Sequence, residues 1–177
     1  MEQKVDVWKA NLTNGLILGL AGVVYSLLMY FFNLTFNKTQ GFVFIAIEAV
    51  ILYLLLKSYR DNNKYGQITY GESVGAGVII CLYYSIIMAV FAYLLYSVID
   101  SGLVAKRLAF VEETLQKKGL PQASIDTAMK IQEKIIKPAI IAPISILGNM
   151  VWGVVFSLIV SIFIRKEGNP LVDTPEN

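Results

Sequence analysis

The sequence predicts an all-α polytopic membrane protein: four transmembrane helices with an amphipathic helical hairpin between the third and the fourth. Three observations carry this expectation. Charged residues make up only 16% of the 177-residue chain, against about a quarter in soluble domains. The charges that exist are clustered, which leaves uncharged stretches of 28 residues from Ala10 to Asn37, 27 from Ser73 to Ile99 and 27 from Pro138 to Ile164. Each is longer than the ~18 residues that mark a membrane span. In hydrocarbon every backbone polar group must pair within the chain, so these stretches are read as a helical bundle. This pattern excludes a soluble enzyme, a disordered chain and a nucleic-acid binder, the last also because the net charge is only +2.

The elements are expected in the following order. The first span covers residues 12–36. Its apolar run is far longer than a signal-peptide core, so it is expected to stay in the mature protein. The second span, residues 41–56, lies between Lys38 and Lys57, is interrupted only by Glu48, and by its shortness is expected to stand closer to upright than the others. The third covers 73–99. Residues 100–137 form the hairpin: Val104, Leu108, Val111 and Leu115 mark one helical face, Gly119 stops that helix, and Pro121 starts the next. In the second hairpin helix Ile125, Ala128 or Met129, Ile131 and Ile135 repeat the pattern. The two faces are expected to pack together or to lie on the membrane. The fourth span covers 138–164. Residues 1–164 are thus one membrane domain, and 165–177, with Gly168, Pro170 and Pro175, are expected to be a disordered polar tail. Tyrosines cluster near span ends as an interfacial belt, while Trp152 falls mid-span and reads as a packing residue.

The chemistry is narrowed by what is missing. There is no histidine, and the single cysteine, Cys81, lies inside an apolar run. His-based acid–base chemistry, Ser-His-Asp and Cys-His nucleophiles and the usual zinc or haem ligand sets are excluded. No enzyme activity, cofactor or metal is expected. Asn11, Asn33 and Asn37 begin Asn-x-Thr glycosylation patterns, but at or inside the membrane boundary these carry little weight.

Glu48 is the most informative residue. Lys38 and Lys57 are 19 positions apart, roughly 28 Å of helix, and Glu48 falls almost midway. A carboxylate there costs ~2.5–3.5 kcal/mol or more, and desolvation favours its protonated form unless a cation or water reaches it. Depth matching brings neutral partners level with it: Asn149 in the fourth span, Tyr84 and Ser85 in the third, Tyr25 and Ser26 in the first. Two readings stand side by side. A hydrogen bond from Glu48 to Asn149 or Ser85 would be a structural link, whereas a cavity would make Glu48 a proton- or cation-binding site. Small residues supply helix seams: Gly15, Gly19 and Gly22 in the first span, Gly71 and Gly75 in the third, Gly153 and Ser157 in the fourth. The same residues could serve a homodimer face. Pro143 should kink the fourth span or free a carbonyl, creating a hinge.

The stretch Tyr59-Arg-Asp-Asn-Asn-Lys-Tyr-Gly-Gln-Ile-Thr-Tyr-Gly-Glu-Ser73 leads into the third span, and Ile99-Asp100 ends it. With these motifs, four spans and a long loop before the last, the chain resembles domain of unknown function 4199, a bacterial family of small integral membrane proteins. The resemblance covers nearly the whole chain. It implies a bacterial inner membrane, four helices and no assigned activity, so no catalytic residues carry over. Four spans place both termini on one side with Lys4, Lys9, Lys57, Arg60, Lys64, Arg165 and Lys166, spread over short segments. The termini are expected in the cytoplasm. The expected partners are the bilayer and another membrane protein or a second copy, and no nucleic acid. The leading expectation is a non-enzymatic accessory subunit of a larger membrane complex. The alternative is a small dimeric proton-coupled transporter using Glu48.

Overall fold

The computed structural model describes residues 6–167, apart from the side chain of Lys38. Six α-helices follow one another: α1 Val7–Phe31, α2 Lys38–Asn63, α3 Tyr70–Leu94, α4 Leu103–Lys117, α5 Gln122–Ile135 and α6 Pro138–Ile164. A π-helical turn, Leu95–Ile99, extends α3. Four of the helices, α1, α2, α3 with its π extension, and α6, are long and apolar enough to cross a membrane. Each carries large apolar side chains on its outer face: Leu20 and Val24 on α1, Val50 and Leu54 on α2, Val90 on α3, Leu147 and Val151 on α6. In water such faces would be costly, and in lipid they are the solvated side.

Helix ends are set by local chemistry. The Asp6 side chain accepts from the Trp8 N–H and starts α1 five residues before the expected span. The same helix stops at Phe31 rather than at 36, because the chain turns through Asn33 with φ +57°. Thr69 and Glu72 form a reciprocal capping box at the start of α3. The second helix outruns the expected span of 41–56: α2 has 26 residues. Lys57, Arg60 and Asp61 are polar but good helix formers or tolerated near an end, so the helix runs on past the hydrocarbon. The fourth span has the expected bounds, and Pro143 sits inside a helix that remains continuous from Pro138 to Ile164.

The helix α3 is the central rod. It runs antiparallel to α6, with Ser73 beside Ser161, Gly77 against Ser157 and Cys81 against Gly153. On its other side it runs parallel to α1, with Tyr83 against Gly15 and Ile87 against Gly19. A Cβ on Gly15 or Gly19 would run into those side chains, so the close approach of α1 depends on the missing methyl. Gly71 and Gly75, expected as seam residues, instead face open space, and the seam on α3 is made by Gly77. Helical geometry explains the difference. Gly77 is two residues past Gly75, about 200° around the helix, which puts it on the opposite side of the rod.

Two apolar cores cap the bundle. At the end carrying the termini, Leu52, Leu56, Tyr59, Ile68, Ile80 and Ile164 are among the buried residues of one cluster. At the opposite end Leu95, Tyr96, Leu103, Ile136 and Ile141 form a second, under the hairpin. The hairpin helices pack on each other after a turn at Gly119 with φ +69°. Ile125 and Ile136 are buried, but Ile131 and Ile135 of the expected inner face are exposed. The segment after α6 is not disordered at its start: Lys166 pairs with Ile68 through two backbone hydrogen bonds of 2.9 and 3.0 Å. Arg60 also donates to the Ile164 carbonyl at 3.1 Å. The remainder of the expected tail, 168–177, lies outside the described residues.

Candidate functional site

Between the two cores the four long helices do not close completely. They leave a cavity of ≈ 280 Å³ whose lining comes from α1, α2, α3 and α6. Its deepest acid is Glu48, in the middle of α2. Gln40, Gly41 and Phe44 line the same cavity one to two turns nearer the start of that helix. Gly41 and Glu48 are separated by about 10 Å along the axis. The cavity therefore runs from mid-depth towards the bundle end that carries the hairpin.

Each helix presents its contribution through simple periodicity. On α2, Gln40, Phe44 and Glu48 are spaced by four. On α6, Asn149, Trp152 and Phe156 are spaced by three and four, and on α3, Tyr84 and Met88 by four. From α1 come Tyr25 and Ser26, near its C-terminal end. The Tyr25 hydroxyl donates to the Gln40 carbonyl at 2.8 Å, pinning the start of α2 against the end of α1. Tyr25 and Phe44 rings lie 4.8 Å apart, and Phe44 and Tyr84 6.5 Å apart. Trp152 stacks on Phe156 at 5.8 Å.

Glu48 is 5% exposed, and its Oε1 is buried without a hydrogen-bond partner. The expected structural link is not formed. Ser85 is fully buried but donates to the Leu82 carbonyl of its own helix at 2.8 Å. Asn149 lines the cavity with Glu48, and no hydrogen bond joins the two. Of the residues singled out by depth, Tyr25, Ser26, Tyr84 and Asn149 are thus brought together around Glu48, and Ser85 is turned away. Pro143 lies outside the lining. Asn11 is fully buried and donates to the Val7 carbonyl at 2.9 Å, so it offers no glycosylation site.

Sequence reasoning missed Phe44, Trp152, Phe156 and Gln40 as lining residues. The signal was present, since each sits three, four, seven or eight positions from a polar residue already singled out, but such spacing is also that of ordinary core. Trp152, read as packing, is 54% exposed and places its ring at the cavity. Among the described residues no group of three or more His, Cys, Asp or Glu side chains converges. Glu48 is the one carboxyl in the lining.

Outside the bundle, Asp100 ends the π turn. It accepts from the Gly102 N–H at 2.9 Å, from Lys106 at 3.2 Å and from the Tyr30 hydroxyl at 3.4 Å. The Lys106 ammonium is the main cause holding its carboxyl below the ordinary value of 3.8.

The family model described as "Protein of unknown function (DUF4199)" matches residues 13–166. The chain belongs to this family. No curated protein and no solved structure matches it. The DUF4199 match takes in every cavity-lining residue and ends at Lys166, the residue that bridges to Ile68.

Proposed function

We propose that this DUF4199 protein is a small non-enzymatic membrane carrier that exchanges a proton for a cation at Glu48. One observation supports this above all: a carboxyl 5% exposed, with Oε1 unpartnered, lines a cavity between the helices. An acid at mid-depth costs ~2.5–3.5 kcal/mol on insertion scales. A purely structural acid would recover part of that through a hydrogen bond, and Glu48 makes none to Asn149 or Ser85. A proton and a bound cation compete for the same carboxyl oxygens, so binding of one releases the other. That is the minimal device for coupling the two. The titratable groups packed near Glu48 are Cys81 and Tyr84 on α3 and Tyr25 on α1; α6 contributes none to the lining. For location, the reading is a bacterial inner membrane with cytoplasmic termini, supported by the basic residues of the short terminal-side segments.

The test is cation-driven proton release from dye-loaded proteoliposomes. Wild type should release protons and Glu48→Gln should not. Equal flux in the two overturns the proposal.

A second reading, an accessory subunit that positions a larger membrane partner, is favoured by the hairpin. Leu120, Ile131 and Ile135 are exposed on α4–α5 outside the four long helices. Co-purification from native membranes should then recover a defined partner that Ile131→Ser with Ile135→Ser releases. Recovery of the protein alone in mild detergent overturns it.

A further inference from the structure

We infer that the occupant of the Glu48 cavity is an organic monocation, an amine or quaternary ammonium with an aromatic or branched alkyl body. This deepens the proposed carrier function and rests on it. Three features of the lining converge. The first is charge: Glu48 supplies one carboxyl and no second acid joins it, so the cavity neutralises one positive charge. The second is the wall. Five aromatic residues from all four long helices, Tyr25, Phe44, Tyr84, Trp152 and Phe156, line the cavity together with that acid. A ring face attracts a cation within about 6 Å of its centroid, and more strongly when water is excluded. The third is volume. At ≈ 280 Å³ the cavity lies just below the ~300–1,000 Å³ range of small-molecule sites, which suits a small organic ion better than a drug-sized molecule.

An inorganic cation would use these features poorly. Calcium and magnesium are held by several oxygen ligands, with more than one carboxylate in most protein cages. An inorganic ion would have to shed its hydration shell where ring walls replace few of the lost oxygen ligands, and it would leave most of the volume unfilled. A neutral apolar molecule would fill the volume but leave the Glu48 Oε1 unpartnered. An ammonium group gives that oxygen a charge partner, and its organic substituents take up the ring surface. Gln40, Ser26 and Asn149 add neutral polar groups to the lining that can solvate the ammonium without forming a second ion pair.

The probe is benzyltrimethylammonium chloride, titrated calorimetrically into the full chain in phosphatidylcholine nanodiscs, with empty nanodiscs subtracted. Wild type should show saturable one-site binding. Glu48→Gln should weaken it by at least about tenfold through loss of the charge partner. Phe44→Leu and Trp152→Leu, which leave the acid in place, should each weaken it by about 2- to 30-fold. Neopentylbenzene, the uncharged carbon isostere, should fail to displace the probe, as should sodium in excess. Displacement by neopentylbenzene, or aromatic variants that bind as wild type does, would overturn the inference. Sodium-driven proton release with no binding of the ammonium probe overturns it too, while leaving the carrier function standing. Probe binding that depends on Glu48 without any proton release supports the ligand assignment and defeats the carrier function instead.

Discussion

At the scale of single residues, the decisive contrast is between buried polar groups that are satisfied and one that is not. Ser161 donates to Ser73 at 2.8 Å across the α3–α6 seam, and both are fully buried. Ser157 donates back to the Gly153 carbonyl at 2.7 Å. These bonds tie helices or close local carbonyls, and Ser161→Ala should cost about 0.6–1 kcal/mol, read as a lower unfolding temperature in detergent. Glu48 behaves in the opposite way. Its Oε1 has no partner to lose, so Glu48→Leu, of similar volume and apolar, should leave stability unchanged or raise it by about 1–3 kcal/mol. The same variant should abolish binding in the cavity. A fall in unfolding temperature for Glu48→Leu would return this residue to a structural role. The Asp100 carboxyl gives a separate prediction of sign. Its folded value lies below 3.8, so its contribution is present above that pH and is lost as pH falls through the folded value. Asp100→Asn should therefore flatten the acid limb of the unfolding profile below pH 3.8 and leave its shape at neutral pH intact.

At the scale of elements, hydropathy located all four long helices, and it bounded α6 well because Lys137 and Arg165 flank a run with no charge inside it. It shortened α2 because charge marks the edge of hydrocarbon, not the end of a helix, and α2 runs to Asn63 through Lys57, Arg60 and Asp61. It overran α1 because Phe32, Leu34 and Phe36 are apolar, while the turn there is made by Asn33 and by Asn37, which caps α2. Glycine spacing was legible only in part. Gly15, Gly19 and Gly22 lie against α3, but a four-residue repeat has no sign, and Gly71 and Gly75 carry the repeat on the open side. The site was half legible for the same reason: depth along a helix follows from counting, whereas the side of the helix that meets the cavity follows only from packing. The two glycine sets should separate in experiment. Gly71→Ala and Gly75→Ala should be neutral or stabilising by up to about 0.5–1 kcal/mol each, through helix propensity. Gly19→Ala should destabilise, because its Cβ meets Ile87.

At the scale of the whole molecule, apolar cores pack the bundle towards each end, and the cavity extends from Glu48 towards the hairpin end as far as Gln40 and Gly41. The end bearing the termini is doubly fastened, by the Ile68–Lys166 backbone pair and by Arg60 on the Ile164 carbonyl. The hairpin end is held by Leu103, Ile136 and Ile141 and by Phe36 stacked on Phe110 at 5.8 Å. The cavity that starts at Gln40 is flanked by that second end, so water should reach it from the hairpin side and not through the lipid-facing wall. Neighbouring residues of α6 make this testable at one depth. Asn149 lines the cavity, while Gly148 is exposed on the outer face with nothing within 4 Å of where a Cβ would stand. In a Cys81→Ala background, Asn149→Cys should react with a membrane-impermeant thiosulfonate added to the hairpin side, because a thiol must ionise in water to attack it. Gly148→Cys, one residue away but in hydrocarbon, should stay unlabelled. Benzyltrimethylammonium should slow the labelling of Asn149→Cys only while Glu48 is present. Equal labelling at both positions, or none at Asn149→Cys from either side, would mean that the cavity is not an aqueous path to Glu48.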